Sequence, residues 1–155
     1  MLLYLATPYS HPELAVMQSR FESACDAAAK LMNLGYEVFC PIAHSHPIAD
    51  YLDPSLRTSF DFWMRQDEAV LKHCDALIVY QMDGWNTSRG VTAEIAFALT
   101  NGIKVYYVKE GNMNDVIDAM LQHNEEQNDL GGYEDFLDLE DAAGDAVIAA
   151  LKEAA

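Results

Sequence analysis

The stretch from Asp75 to Ala98 constrains the fold more than any other part of this chain. Asp75-Ala-Leu-Ile-Val-Tyr80 is an unbroken apolar run of strand length. Such a run fits a parallel strand covered on both faces. After a loop comes Ser88-Arg-Gly-Val-Thr-Ala-Glu94-Ile-Ala-Phe-Ala98. Ser88 suits the N-cap of a helix, and Gly90 leaves room for a ligand to approach the backbone. The unbonded N–H groups of a helix start favour an anion. Val91, Ile95, Ala98 and Leu99 then recur at helical spacing, and Glu94 falls on or beside that apolar face. A carboxylate placed there is costly without a partner or a task.

The rest of the chain repeats the alternation of strand and helix. Leu2 to Ala6 reads as a first buried strand, broken by Thr7-Pro8-Tyr9. Ser10-His-Pro-Glu13 matches a capping box, with Ser10 as N-cap. Met17, Phe21, Ala24, Ala28, Leu31 and Met32 form a helical stripe that stops at Leu34-Gly35, and Tyr36 to Cys40 is a second strand. Pro41-Ile-Ala-His44-Ser-His46-Pro47 reads as an irregular loop. Asp53-Pro54 opens a helix carrying Phe60, Trp63, Met64, Val70, Leu71 and Cys74, with Asp67 in the middle of the stripe. Asn101-Gly102 ends the Glu94 helix, and Ile103 to Val108 is a fourth strand. Asn112 to Gln122, with Val116, Ile117, Met120 and Leu121 inward, suits a helix; Gly131-Gly132 a turn; Phe136 to Leu139 a short edge strand; Ala142 to Glu153 a last helix. The pattern predicts an α/β doubly wound domain with right-handed crossovers and sheet order 2-1-3-4-5, binding its ligand beyond the carboxyl ends of the strands.

Composition narrows the function. The chain has 155 residues, half of them apolar, enough for a single domain with a true core. Its formal net charge of −16 offers nothing to a nucleic acid polymer or an anionic membrane. A small anion held by backbone N–H groups remains compatible. Beyond Lys109 the sole Lys or Arg is Lys152, so residues 110–155 form an acidic extension with a solvated face, after a core of residues 1–109. Cys25, Cys40 and Cys74 are single and widely spaced, which suits reduced thiols in a cytoplasm. The apolar start lacks a signal peptide's basic flank, and no run is long enough to span a membrane.

Two carboxylates, Asp67 and Glu94, interrupt apolar helical faces, and neither has a cation on its own face, since Arg65 and Arg89 point elsewhere on the wheel. Buried carboxylates without a fixed cation have raised pKa values. Two of them beside one sugar can split a glycosidic bond, one attacking the anomeric carbon and the other moving a proton. His44-Ser-His46 lacks the further ligands that zinc requires, so loop histidines bonded to substrate or backbone are the better reading. Tyr4, Tyr9 and Trp63 are candidates to stack on a base, although a tryptophan placed like Trp63 is more often core; Trp85 suits a cover over the site. Neither a P-loop nor G-x-G-x-x-G is present, so no dinucleotide or triphosphate cofactor is expected, and no metal.

Tyr4-Leu-Ala-Thr-Pro-Tyr9, Asp67 ahead of Asp75-Ala-Leu-Ile-Val, and Ser88-x-Gly90-x-x-x-Glu94-Ile-x-x-Ala98 with Gly102-Ile-Lys-Val together resemble the nucleoside 2-deoxyribosyltransferase superfamily over residues 2–109. The start and the Pro-Ile-Ala-His-Ser-His segment are similar to those of small bacterial and phage members. The resemblance implies a flavodoxin-like fold with a five-stranded parallel sheet, and a homodimer with sites near the subunit interface. It implies Glu94 as the nucleophile, Asp67 as the acid–base carboxylate and Tyr4 as the residue orienting the glutamate. Thr7, Tyr9, His44, His46, Ser88, Arg89 and Gly90 are the candidate substrate-binding residues. Ser88 stands where transferases acting on free nucleosides carry Asp. The related 2′-deoxynucleoside 5′-monophosphate hydrolases carry Ser there, and loss of that negative charge suits a 5′-phosphate. Cleavage of a (deoxy)nucleoside 5′-monophosphate is therefore the expected activity. Base exchange on deoxynucleosides and a non-catalytic nucleotide-binding module are the alternatives.

Overall fold

The computed structural model describes residues 1–115 and residue 120. Its strands are β1 (Leu2–Ala6), β2 (Glu37–Phe39), β3 (Ala76–Gln81) and β4 (Lys104–Lys109). They pair in parallel in the order β2-β1-β3-β4, with Leu3 opposite Ala76 and Leu77 opposite Val105. The helices are α1 (Leu14–Asn33), α2 (Pro41–Ala49), α3 (Pro54–Arg57), α4 (Phe60–Leu71) and α5 (Arg89–Thr100). This mixed α/β architecture is compatible with a Rossmann-like fold. Among the described residues the sheet has four strands where five were expected, because the expected edge strand at Phe136 to Leu139 lies outside them. So do most of the expected helix from Asn112 to Gln122, the turn at Gly131-Gly132 and the helix from Ala142 to Glu153; a short 3-10 turn occupies Met113–Asp115.

Strand alternation sorts the core into two layers. Leu3, Leu5, Ile78, Tyr106 and Val108 face Ala24, Ala27, Ala28 and Leu31 of α1. Tyr4, Ala6, Leu77, Val79 and Val105 face Leu71, Val91, Ile95 and Ala98 of α4 and α5. Ala76 to Tyr80 are all buried, as a strand covered on both faces must be. The first crossover places α1 on one face, and the next two place α4 and α5 on the other. The winding therefore reverses between β1 and β3, where ligands bind in sheets of this kind.

Three local expectations are corrected. Ser10 does not cap α1, which starts at Leu14 with Glu13 as N-cap and no side-chain cap bond. Pro12 disfavours helical backbone at His11, so a helix begun at Ser10 would be blocked in its first turn. The expected loop at 41–47 is α2: Pro41 sits in its first turn, and Ile42 and Ala43 pack against the α1 layer. Tertiary packing outweighs the cost of Pro47 near the helix end. The single helix expected from Asp53 is divided. Asp53 makes no cap bond to α3, and α4 starts anew where Ser59 Oγ accepts from Phe62 N at 3.2 Å. Met32, expected inward, is 53 % exposed.

Candidate functional site

α5 places Glu94 three residues after Val91 and four before Ala98, both buried, so its carboxyl is carried into the layer between helix and sheet. Only 5 % of the residue is exposed. Tyr4, in the middle of β1 and fully buried, reaches up from the sheet, and its hydroxyl donates to Glu94 Oε1 at 2.7 Å. This bond joins residues 90 positions apart and ties α5 to the central strand. Ser88 caps the same helix, its Oγ accepting from Val91 N at 3.4 Å. Side chain and cap thus belong to one rigid element, with the carboxyl and the helix start on consecutive turns.

Asp67 joins them from α4, between Met64 and Leu71, which are both buried. It is half-buried, and burial raises its pKa to about 7, with Glu68 adding to the shift. Glu94 is raised further, to about 8, by burial first and then by the charge on Asp67; the Tyr4 hydroxyl acts in the opposite sense. The Tyr4 phenol is itself raised by burial and then by Glu94 and Asp67. Asp67, whose place in an apolar stripe makes it the sequence's better candidate for a raised pKa, is thus the less shifted of the two carboxyls. Glu94 is the more deeply buried of the two and carries its neighbour's repulsion as well. Near neutral pH the pair retains at least one proton, which is the charge state that an acid–nucleophile pair requires.

The remaining candidates divide into two groups. Thr7, just beyond β1, is buried, and its Oγ1 has no hydrogen-bond partner among the described residues. Gly90 faces open space: a β-carbon there would meet only Ser88 Oγ, at 3.9 Å. Ser88 takes up the N–H groups of Val91 and Thr92 through its Oγ and its carbonyl, which leaves those of Arg89 and Gly90 as the donors at the helix start. The Arg89 guanidinium lies over the Phe60 ring at 3.7 Å, joining the starts of α5 and α4. His44 and His46 do not converge. His44 is exposed beside Phe39, whose ring packs on Tyr4. His46 stacks on Phe21 at 4.1 Å, and its Nδ1 shares a 2.7 Å hydrogen bond with the Tyr9 hydroxyl. Trp85 packs on Tyr107, and Trp63 Nε1 donates to the Arg57 carbonyl at 2.9 Å, so both indoles have roles in packing. Cys40 and Cys74 are buried thiols raised to about 11, unreactive at neutral pH.

Two surface clefts, of about 310 and 320 Å³, lie on the α1 side of the sheet and contain neither carboxylate. The first is bordered by Arg20, which sequence reasoning passed over. Nothing in the α1 stripe marks it, because its partners are main-chain carbonyls.

The architecture is a mixed α/β fold with a parallel sheet, compatible with the Rossmann-like class, and it carries a buried tyrosine–carboxylate pair at the point where the winding reverses. The chain belongs to the family described as Domain of unknown function (DUF1937), whose model matches residues 1–110. That match spans all four strands and both carboxylates, and it ends where the acidic extension begins. No curated protein matches the chain. Among the described residues no helix is long and apolar enough to cross a membrane.

Proposed function

We propose that this protein cleaves the N-glycosidic bond of a nucleoside or deoxynucleoside 5′-monophosphate, with Glu94 as nucleophile. The observation that carries the reading is Glu94 itself, buried, held by Tyr4 at 2.7 Å, and raised in pKa by that burial and then by Asp67. A buried carboxyl with a hydroxyl partner and a second carboxyl beside it is expensive to keep and suited to glycosyl transfer. The resemblance to the nucleoside 2-deoxyribosyltransferase superfamily assigns these same three residues, and Ser88 favours a phosphate over a free 5′-hydroxyl.

The chemistry is that of the pair. The last proton of the pair is held more tightly by Glu94, so reaction proceeds through the less populated form with that proton on Asp67: ionised Glu94 attacks C1′ of the sugar, and the bond from C1′ to the base nitrogen breaks. The bonding electrons leave with the base, and the Asp67 carboxyl supplies its proton. Water then attacks C1′ of the glycosyl ester, Asp67 takes the water's proton, and Glu94 departs as carboxylate. Tyr4 orients the Glu94 carboxyl, while the start of α5 holds the phosphate one turn away.

Incubation with a panel of nucleoside and 2′-deoxynucleoside 5′-monophosphates, with free base measured by chromatography, tests the reading. The parent protein is expected to release base, Glu94→Ala to fall to background, and Asp67→Asn to slow release by about 10²–10⁴-fold. Absence of base release from every nucleotide would remove the proposal. The resemblance also implies a homodimer, and light scattering in solution should then give twice the chain mass.

A further inference from the structure

Arg20 lies on α1, on the opposite side of the sheet from Glu94, yet its guanidinium joins the two segments that frame the site. Nη1 donates to the Ser10 carbonyl at 3.0 Å and, at 3.5 Å, to that of Tyr9. Nη2 donates to the Asp83 carbonyl at 3.0 Å. The first two acceptors belong to the segment that leaves β1, and the third to the segment that leaves β3.

The turns between Asp83 and α5 carry this contact to the site. Gly84 takes a φ of +82°, and a β-carbon on it would lie 2.7 Å from Arg20 Nη2. Glycine suits this position by its backbone conformation, and a β-carbon there would push the end of the Arg20 side chain off the Asp83 carbonyl. Trp85 N donates to the Met82 carbonyl at 3.0 Å, and Ser88 N to the Trp85 carbonyl at 3.3 Å. The chain from Asp83 to the cap of α5 is therefore a short series of locked turns, through which a shift of Asp83 would move Ser88. On the other side, Tyr9 carries its hydroxyl bond to His46.

We propose that Arg20 is a positioning residue for the Glu94 site. It ties the segment after β1 to the segment after β3 and so sets the separation between Tyr9 and the start of α5, across which substrate is held. The identity of that substrate rests on the glycosidase reading; the tether does not. Arginine suits the task because a planar fork bonds several carbonyls in fixed directions, whereas a lysine ammonium is a single point on a flexible stem.

The test uses the full chain with Arg20→Lys and Gly84→Ala, which disturb one contact from its two sides. Hydrogen–deuterium exchange is expected to quicken together in residues 7–12 and 83–88 of both variants, with β1 and β3 as protected as in the parent. For base release from a nucleoside 5′-monophosphate, KM should rise about tenfold, the worth of one or two such hydrogen bonds. kcat should stay within about twofold and the pH profile should be unmoved, because Glu94, Asp67 and Tyr4 are untouched. The double variant should differ little from Gly84→Ala alone, since once the alanine has displaced the guanidinium little contact is left for Arg20→Lys to remove. Exchange quickened in only one segment, or KM unchanged while both loosen, would overturn the proposal. So would an equal loss of protection in β1 and β3, which would mark Arg20 as general scaffolding. Should Arg20→Lys fail to fold, Gly84→Ala alone decides by the same measurements. Should the parent cleave no nucleotide, the glycosidase reading falls, and the tether is judged on exchange alone: joint loosening upholds it, and its absence ends it.

Discussion

Glu94 concentrates the physics of this protein in one side chain. Its pKa is raised to about 8 from an ordinary carboxyl value near 4.5, chiefly by burial and then by Asp67. In the native state it therefore holds a proton that the unfolded chain has already lost. The folded form binds more protons between those values, so this contribution is fully present below about pH 4.5 and is lost as pH rises through about 8. The stability of the parent relative to Glu94→Gln, measured by urea unfolding, should accordingly fall between about pH 5 and pH 9. The comparison matters because the general acidity of the chain also favours lower pH, and the glutamine variant retains that background. Under the proposed mechanism activity runs the other way on its acid side, since attack would require ionised Glu94. kcat/KM should be bell-shaped, with limbs that belong to the pair rather than to either carboxyl. Tyr4→Phe removes the one interaction that lowers Glu94 and should move the acid limb to higher pH. Asp67→Asn removes a charge that raises Glu94, so the acid limb should move down and the alkaline limb should disappear.

At the scale of elements, two serine caps place the site. Ser59 starts α4 and so sets the register that brings Asp67 between Met64 and Leu71; Ser88 starts α5 and sets that of Glu94. Ser59→Ala should cost about 1 kcal/mol in chemical denaturation, a typical cap loss, and leave ligand preference unchanged. Ser88→Asp should behave differently. Aspartate caps a helix as well as serine does, so stability should hold, while its charge at the proposed phosphate position should turn the preference from nucleotide to nucleoside. Calorimetry with one nucleoside and its 5′-monophosphate checks this, and an unaltered preference would remove the anion site from the start of α5. α2 makes the complementary point. His44 and His46 are near neighbours in sequence, but the helix sends one towards Phe39 and the other onto Phe21 and Tyr9.

Across the whole molecule, a net charge of −16 opposes compaction, while the described ion pairs are few and exposed: the N-terminus with Glu37, Lys30 with Asp26, and Arg57 with Asp50. Exposed pairs of this kind contribute little. The fold is held by its two apolar layers against its own repulsion. Raising salt from about 10 mM to about 0.5 M should therefore raise the unfolding midpoint, because screening weakens repulsion more than it weakens these pairs. A midpoint that falls with salt would show that the ion pairs matter more than the layers.

The sequence by itself determined the alternation of strands and helices, the run of β3 covered on both faces, the serine start of α5 and the inward face on which Glu94 lies. Each of these comes from local periodicity, which side-chain spacing along one element sets directly. It also brought Asp67 into view, as a charge out of place in an apolar stripe. What local periodicity could not supply were relations between elements distant along the chain; the pairing of Tyr4 with Glu94 was implied by the family resemblance alone. The Tyr4–Glu94 bond spans 90 positions, and the higher pKa of Glu94 arises from the depth at which two helices and a strand enclose it. α2 forms across two prolines because α1 and β1 give it a surface to pack on. Arg20 acts on the carbonyls of Tyr9, Ser10 and Asp83, groups that every residue possesses and that no motif can mark. Burial and main-chain geometry exist only once the sheet has assembled, and these decided how the carboxylates, the helix start and the two framing segments meet.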